Sequence, residues 1–164
     1  MNGLFILKTS ETIDASLIFA SKFELRNVSD AMEFNFTGAT VHNIDGVDIT
    51  LTLTEAQRVR AIEISATPGG DTIPATLKVN SGGISDYAEN MVLDTENIFV
   101  DELPDIETPR LTSASINYGT GVLVIQCSET IDTTPKTLVN LNNFFLDNET
   151  GITAIPLSGA QVTA

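Results

Sequence analysis

The chain of 164 residues contains one Cys, one His and no Trp. A single cysteine excludes an internal disulfide framework and any CxxC redox pair. One His beside one Cys excludes a Cys/His zinc site. There is no phosphate loop, no GxSxG and no basic patch interleaved with aromatics, so the usual catalytic and nucleic-acid-binding constellations lack their parts. Bases are scarce as well: 8 Lys and Arg stand against 22 Asp and Glu, for a net charge of −14. Such a surface repels phosphate backbones and anionic membranes. No apolar run approaches the ~20 residues of a helical membrane span. The opening MNGLFILKTSE has no basic n-region and no small-residue cleavage site, so it does not read as a signal peptide. What the chain does have is 42% hydrophobic residues, enough to bury a core.

It also has an internal repeat. Gly3 to Asp14 read GLFILKTSETID and Gly121 to Asp132 read GVLVIQCSETID, identical at six of twelve positions, with four more exchanging one apolar residue for another. Phe23-Glu24-Leu25-Arg26-Asn27 then matches Phe144-Phe145-Leu146-Asp147-Asn148, and Gly38-Ala39-Thr40-Val41 matches Gly159-Ala160-Gln161-Val162. The offset grows from 118 to 121 around Pro135-Lys136-Thr137, where a loop absorbs three residues. A period near 120 residues suits self-contained domains in series rather than a solenoid. In this frame the first unit has no counterpart to Thr108–Tyr118, and the second stops opposite Asn43.

Most segments alternate at period two, as half-buried strands do. In Val47–Thr54 the expectation is Val47, Ile49, Leu51 and Leu53 inward. In Ala31–Thr37 it is Met32, Phe34 and Phe36. The apolar runs Leu4–Leu7 and Val122–Ile125 read as central strands covered on both faces. Thr76–Val79, Ile98–Val100 and Leu111–Asn117 are weaker strand candidates. Thr54 and Gln57 fit a capping box, predicting one crossover helix of about two turns that stops near Ile62. The fold class expected is all-β: an antiparallel β-sandwich with one short crossover helix, a closed barrel being the competitor. The organisation expected is a first repeat over 1–100 lacking its first strand, a linker over 101–109, and the first part of a second repeat over 110–164. The linker, with four acids and two prolines, reads as stiff and solvated.

The order SETID, then DITLTLTEAQ, then TLKVNSGGISDYAENMV, then TPRLTSASINYGTG resembles the immunoglobulin-like tandem repeats of large secreted or cell-surface proteins of bacteria and algae. Those repeats carry a Thr-Pro linker, a strand ending in Ser-Glu and an Asp-x-Ala-Gly-Asn loop. Asp86-Tyr87-Ala88-Glu89-Asn90 departs from that pattern, with Glu89 in place of Gly. The resemblance implies an immunoglobulin-like fold, an extracellular adhesive, stalk-forming or filament-forming role, and no catalytic residues.

The candidate sites are few. Asn27, Asn35 and Asn148 head N-glycosylation sequons, Asn27 and Asn148 at equivalent places of the repeat. No cofactor is expected. Calcium is the one ion the acids suggest, through Glu11 and Asp14, Glu129 and Asp132, and the linker residues Asp101, Glu102, Asp105 and Glu107, although no EF-hand spacing is present. A glycosidase pair would need a shaped cleft that nothing in the sequence suggests. His42 reads as a surface residue and Cys127 as a small buried hydrophobe. The expected function is a structural building block of an extracellular fibre, stalk or adhesin, whose partners are copies of itself or neighbouring repeats. Strand donation between subunits is a sharper form of it, the alternative being that 1–164 is a window of a longer tandem array in which the missing strand lies upstream. The alternative is a module binding surface glycan or protein through the loops at one end, with Tyr87 and Tyr118 as loop aromatics.

Overall fold

A computed structural model describes residues 3–27, 32–147 and 154–163. The chain is predominantly β, in antiparallel sheets. It divides into two compact units at Thr108/Pro109.

Among its described residues, the first unit holds seven strands and one α-helix: β1 (Leu4–Ile13), β2 (Phe23–Asn27), β3 (Glu33–Asn35), β4 (Thr40–Val41), β5 (Gly46–Thr52), α1 (Glu55–Glu63), β6 (Ala75–Val79) and β7 (Thr95–Phe99). They form two antiparallel sheets, ordered β1-β5-β4 and β3-β2-β6-β7. Ile49 and Leu51 from the first sheet and Phe23, Leu25, Leu77 and Val79 from the second are buried in one cluster with Ile64. Phe36 lies fully buried at its centre, edge-on to Phe5 at 5.1 Å, stacked on Phe23 at 6.2 Å and tilted against Phe34 at 5.7 Å. Each such aromatic pair adds roughly 0.5–1.5 kcal/mol beyond its buried area.

Helix α1 begins as its sequence predicts. The Thr54 hydroxyl accepts from the Gln57 N–H, and the Gln57 side chain accepts from the Thr54 N–H at 2.9 Å. Gln57 also donates its amide to the carbonyls of Asn35 (3.2 Å) and Thr37 (3.0 Å). One side chain therefore caps the helix and fastens it to the turn after β3. Beyond the helix, the chain returns so closely on itself that a Cβ on Gly70 would lie 2.1 Å from the Ser65 carbonyl oxygen.

Two expectations about the core are corrected. Leu4 and Ile6 are more than half exposed, and Val122 and Val124 nearly as much. These runs are covered on one face, since the alternate residues Phe5 and Leu7 are the ones that pack on the core. Val47 is exposed too, because it lies where the β1–β5 pairing breaks between Lys8 and Ile13.

The second unit consists, among its described residues, of a hairpin, β8 (Leu111–Asn117) with β9 (Val122–Cys127), and a short ribbon, β10 (Phe145–Leu146) with β11 (Ile155–Pro156). Its local geometry follows that of the first unit position by position. Phe145↔Pro156 and Leu146↔Ile155 repeat, 121 residues on, the register Glu24↔Asn35 and Leu25↔Phe34. The Leu157 N–H to Phe144 carbonyl bond mirrors Phe36 to Phe23, and Ala160 to Leu157 mirrors Ala39 to Phe36. Asp132 accepts from the Thr134 N–H as Asp14 does from Ser16, at the offset of 118. None of the described residues of this unit is fully buried. Two small ribbons do not enclose a core.

Candidate assembly surfaces

In an extended antiparallel strand, the N–H and C=O of successive residues point to opposite edges. The Leu53 N–H donates to the Gly3 carbonyl at 2.7 Å. Gly3, Phe5 and Leu7 therefore turn their backbone groups toward β5, and Leu4, Ile6 and Lys8 turn theirs the other way. Among the described residues, Leu4–Lys8 pair with β5 alone. No strand among the described residues pairs with that second edge of β1.

In the second unit the equivalent strand, β9, has its partner on the equivalent of that second edge. The Ser128 N–H donates to the Arg110 carbonyl at 2.8 Å. Parity then directs Gln126, Val124 and Val122 toward β8. At the offset of 118 these are Lys8, Ile6 and Leu4. The other edge of β9, which corresponds to the β5 side of β1, pairs with no strand among the described residues.

The second unit carries an open apolar groove of about 320 Å³, lined by Leu123, Ile125, Phe144, Leu146 and Leu157 among others. Their counterparts in the first unit are Phe5, Leu7, Phe23, Leu25 and Phe36, where β5 and β6 supply the opposing Ile49, Leu51, Leu77 and Val79.

The loops at one end of the first unit are tied together by carboxylates. Asp45 accepts from the Ala15 N–H at 2.9 Å and from the Tyr87 hydroxyl. The Tyr87 bond, with the Ala15 bond behind it, holds the Asp45 carboxyl below its ordinary range, and Asp45 in turn raises the Tyr87 phenol. Asp86 folds its own loop, accepting from the N–H of Ala88 and Asn90 (both 2.8 Å) and from the Asn90 amide (2.7 Å). The Asn90 bonds dominate a lowering of its pKa. Glu89 takes φ +62°, the left-handed conformation that glycine adopts without strain.

Several of the acids considered for calcium have partners within the protein. Asp14 caps a short 3-10 turn. Glu102 accepts from the N–H groups of Ala66 (3.0 Å) and Ala75 (3.1 Å), and Asp105 pairs with Arg58 at 2.5 Å. The 101–105 stretch is therefore bound to the first unit. Among the described residues, no three His, Cys, Asp or Glu side chains are placed to share a metal ion.

Of the sequons, Asn35 is exposed and its side chain accepts from the Thr37 N–H. Asn27 is 1% exposed and donates its amide to Asp71, so a glycan there would displace that packing. Asn148 lies outside the described residues. His42 is exposed, 2.8 Å from the Thr52 hydroxyl. Cys127 is half-buried and unpaired, as Thr9 is half-buried at the matching position. Tyr87 and Tyr118 are exposed. Sequence reasoning missed the Asp45–Tyr87 tie and the anchoring role of Glu102, whose partners lie far away along the chain.

No helix among the described residues is long and apolar enough to cross a membrane. Comparison with protein-family models, curated proteins and solved structures returned no match.

Proposed function

We propose that this chain is a structural building block of an extracellular fibre, stalk or adhesin, made of immunoglobulin-like sandwiches in tandem. The observation that carries the reading is the strand order. Written as B, C, C′, D, E, F and G, strands β1 to β7 give sheets B-E-D and C′-C-F-G, an order that supports an immunoglobulin-type sandwich. In the second unit β8 lies beside the B-equivalent β9, where strand A belongs. The repeated β10–β11 register and the paired turn hydrogen bonds support descent of both units from one repeat. Recurrence of one self-contained unit along a chain suits a mechanical role, in which each sandwich buries its own core and the next extends the line. The exposed Asn35 sequon leaves room for a glycan on the outer surface of such a repeat.

A glycan- or protein-binding surface module is the second reading, and it would draw on Tyr87 and Tyr118. The Tyr87 hydroxyl is already committed to Asp45, which weakens it as a sugar contact. Immunogold electron microscopy of the source cells, with antibody raised against residues 1–164, tests the proposal. Gold aligned on extracellular fibres at a regular spacing is the expected result. Label confined to the cell interior would end it.

A further inference from the structure

We infer that the edge of β1 away from β5 is an acceptor for the β8 strand of a second copy of this chain. This inference rests on the building-block reading above and names its joint. The template lies within the molecule: β9, the repeat-equivalent of β1, already holds a β8 strand on the matching edge. Transferring that pairing by 118 residues fixes the register. Asn117, Ser115 and Ser113, which face Val122, Val124 and Gln126 in their own hairpin, would face Leu4, Ile6 and Lys8 of the neighbour.

Three features favour the exchange. First, β8 gains little where it is: six of its seven residues are exposed, over a unit with no fully buried residue among those described. On β1 its inward residues Ala114 and Ile116 would instead flank Phe5 and Leu7 at a completed core. Second, the backbone groups of Leu4, Ile6 and Lys8 pair with no strand among the described residues, and an edge of that kind recruits strands. Third, charge is complementary. Residues 1–108 carry 18 acids and 6 bases, net −12, while Pro109–Tyr118 contain no acid and one base, Arg110. The transferred register sets Arg110 opposite Ser10, next to Glu11. Because the donor strand and the acceptor edge belong to different units, the contact is head-to-tail and propagates in a line.

Disulfide trapping on the full chain tests the register, in a Cys127→Ser background. Ile6 and Ser115 are both exposed and would sit directly opposite, with Cα atoms about 5.5 Å apart, inside the range a disulfide spans. Mild oxidation of the Ile6→Cys/Ser115→Cys variant should give covalent dimers and higher multimers, about ten-fold more than Ile6→Cys/Ala114→Cys, whose second thiol projects to the other face. Equal trapping in both variants, no multimers, or a disulfide closed within one chain would overturn the inference. Fibres in source material without such trapping would leave the building-block reading standing and remove this joint alone. Ile6→Pro supplies an independent check, since the Ile6 N–H points away from β5. Its far-UV circular dichroism should be unchanged while association is lost, and association that persists would also overturn the inference.

Discussion

The side chain of Gln57 does more than cap a helix, and replacing it separates its two tasks. In the native chain its oxygen accepts from the Thr54 N–H, and its nitrogen donates to the Asn35 and Thr37 carbonyls. It is buried, at 8% exposure. Loss of a cap alone costs roughly 1 kcal/mol. Gln57→Ala also leaves two part-buried carbonyls without a donor, at about 1 kcal/mol or more each, so the total should reach about 3 kcal/mol. Gln57→Glu separates the contributions. A carboxylate can still accept from the Thr54 N–H and suits the helix N-terminus, but it cannot donate, and it faces two carbonyl oxygens. At neutral pH this variant should be at least as destabilised as Gln57→Ala. The protonated acid restores a donor, so the folded-state pKa of the introduced carboxyl is raised above its unfolded value. Its stabilising contribution is then present below the unfolded pKa and lost as pH rises through the folded one. Urea denaturation followed by circular dichroism at pH 7 and pH 4 measures all of this. A Gln57→Glu variant as stable as wild type at pH 7, or a Gln57→Ala variant within about 1 kcal/mol of wild type, would refute the role assigned to the two carbonyl contacts.

Three further outcomes follow from particular positions. Gly70→Ala should destabilise by roughly 1–3 kcal/mol in urea denaturation, since its Cβ would meet the Ser65 and Ile62 carbonyls. Glu89→Gly should raise stability by about 0.5–1 kcal/mol, because glycine relieves the left-handed strain at some entropic cost. The Asp86 carboxyl, observed by carbon NMR, should titrate below the ordinary value of about 3.9. With the folded pKa depressed, its contribution is present above the unfolded value and lost as pH falls through the folded one. Protection of the Asn90 amide should therefore fail in that acid window, and the failure should lose its pH dependence in Asp86→Asn.

Much of the architecture was legible because it is written locally. The capping box at Thr54–Gln57, the limits of β8 and the alternation of Ile49 with Leu51 each depend on neighbours within a few residues. The repeat was legible because identity survives in the first apolar strand and the SETID turn. What escaped was set by distant partners. An apolar run such as Leu4–Leu7 reads as buried on both faces, yet nothing local says that no layer covers Leu4 and Ile6. The linker is exposed at every position but Glu102, and the N–H groups that hold Glu102 lie 27 and 36 residues away. The sequon at Asn27 gives no sign of burial. Its side chain is buried because Asp71, 44 residues on, takes its amide. The candidate assembly edge was not visible locally: which edge of β1 faces β5 came from the parity of one backbone hydrogen bond, Leu53 to Gly3.

The central claim is that the units of this chain are made to join one another in line. Sedimentation velocity of purified 1–164 across a wide concentration range tests it most directly. The expected result is a monomer at high dilution that gives way, as concentration rises, to an open-ended series of oligomers. A single compact monomer at every concentration would contradict it.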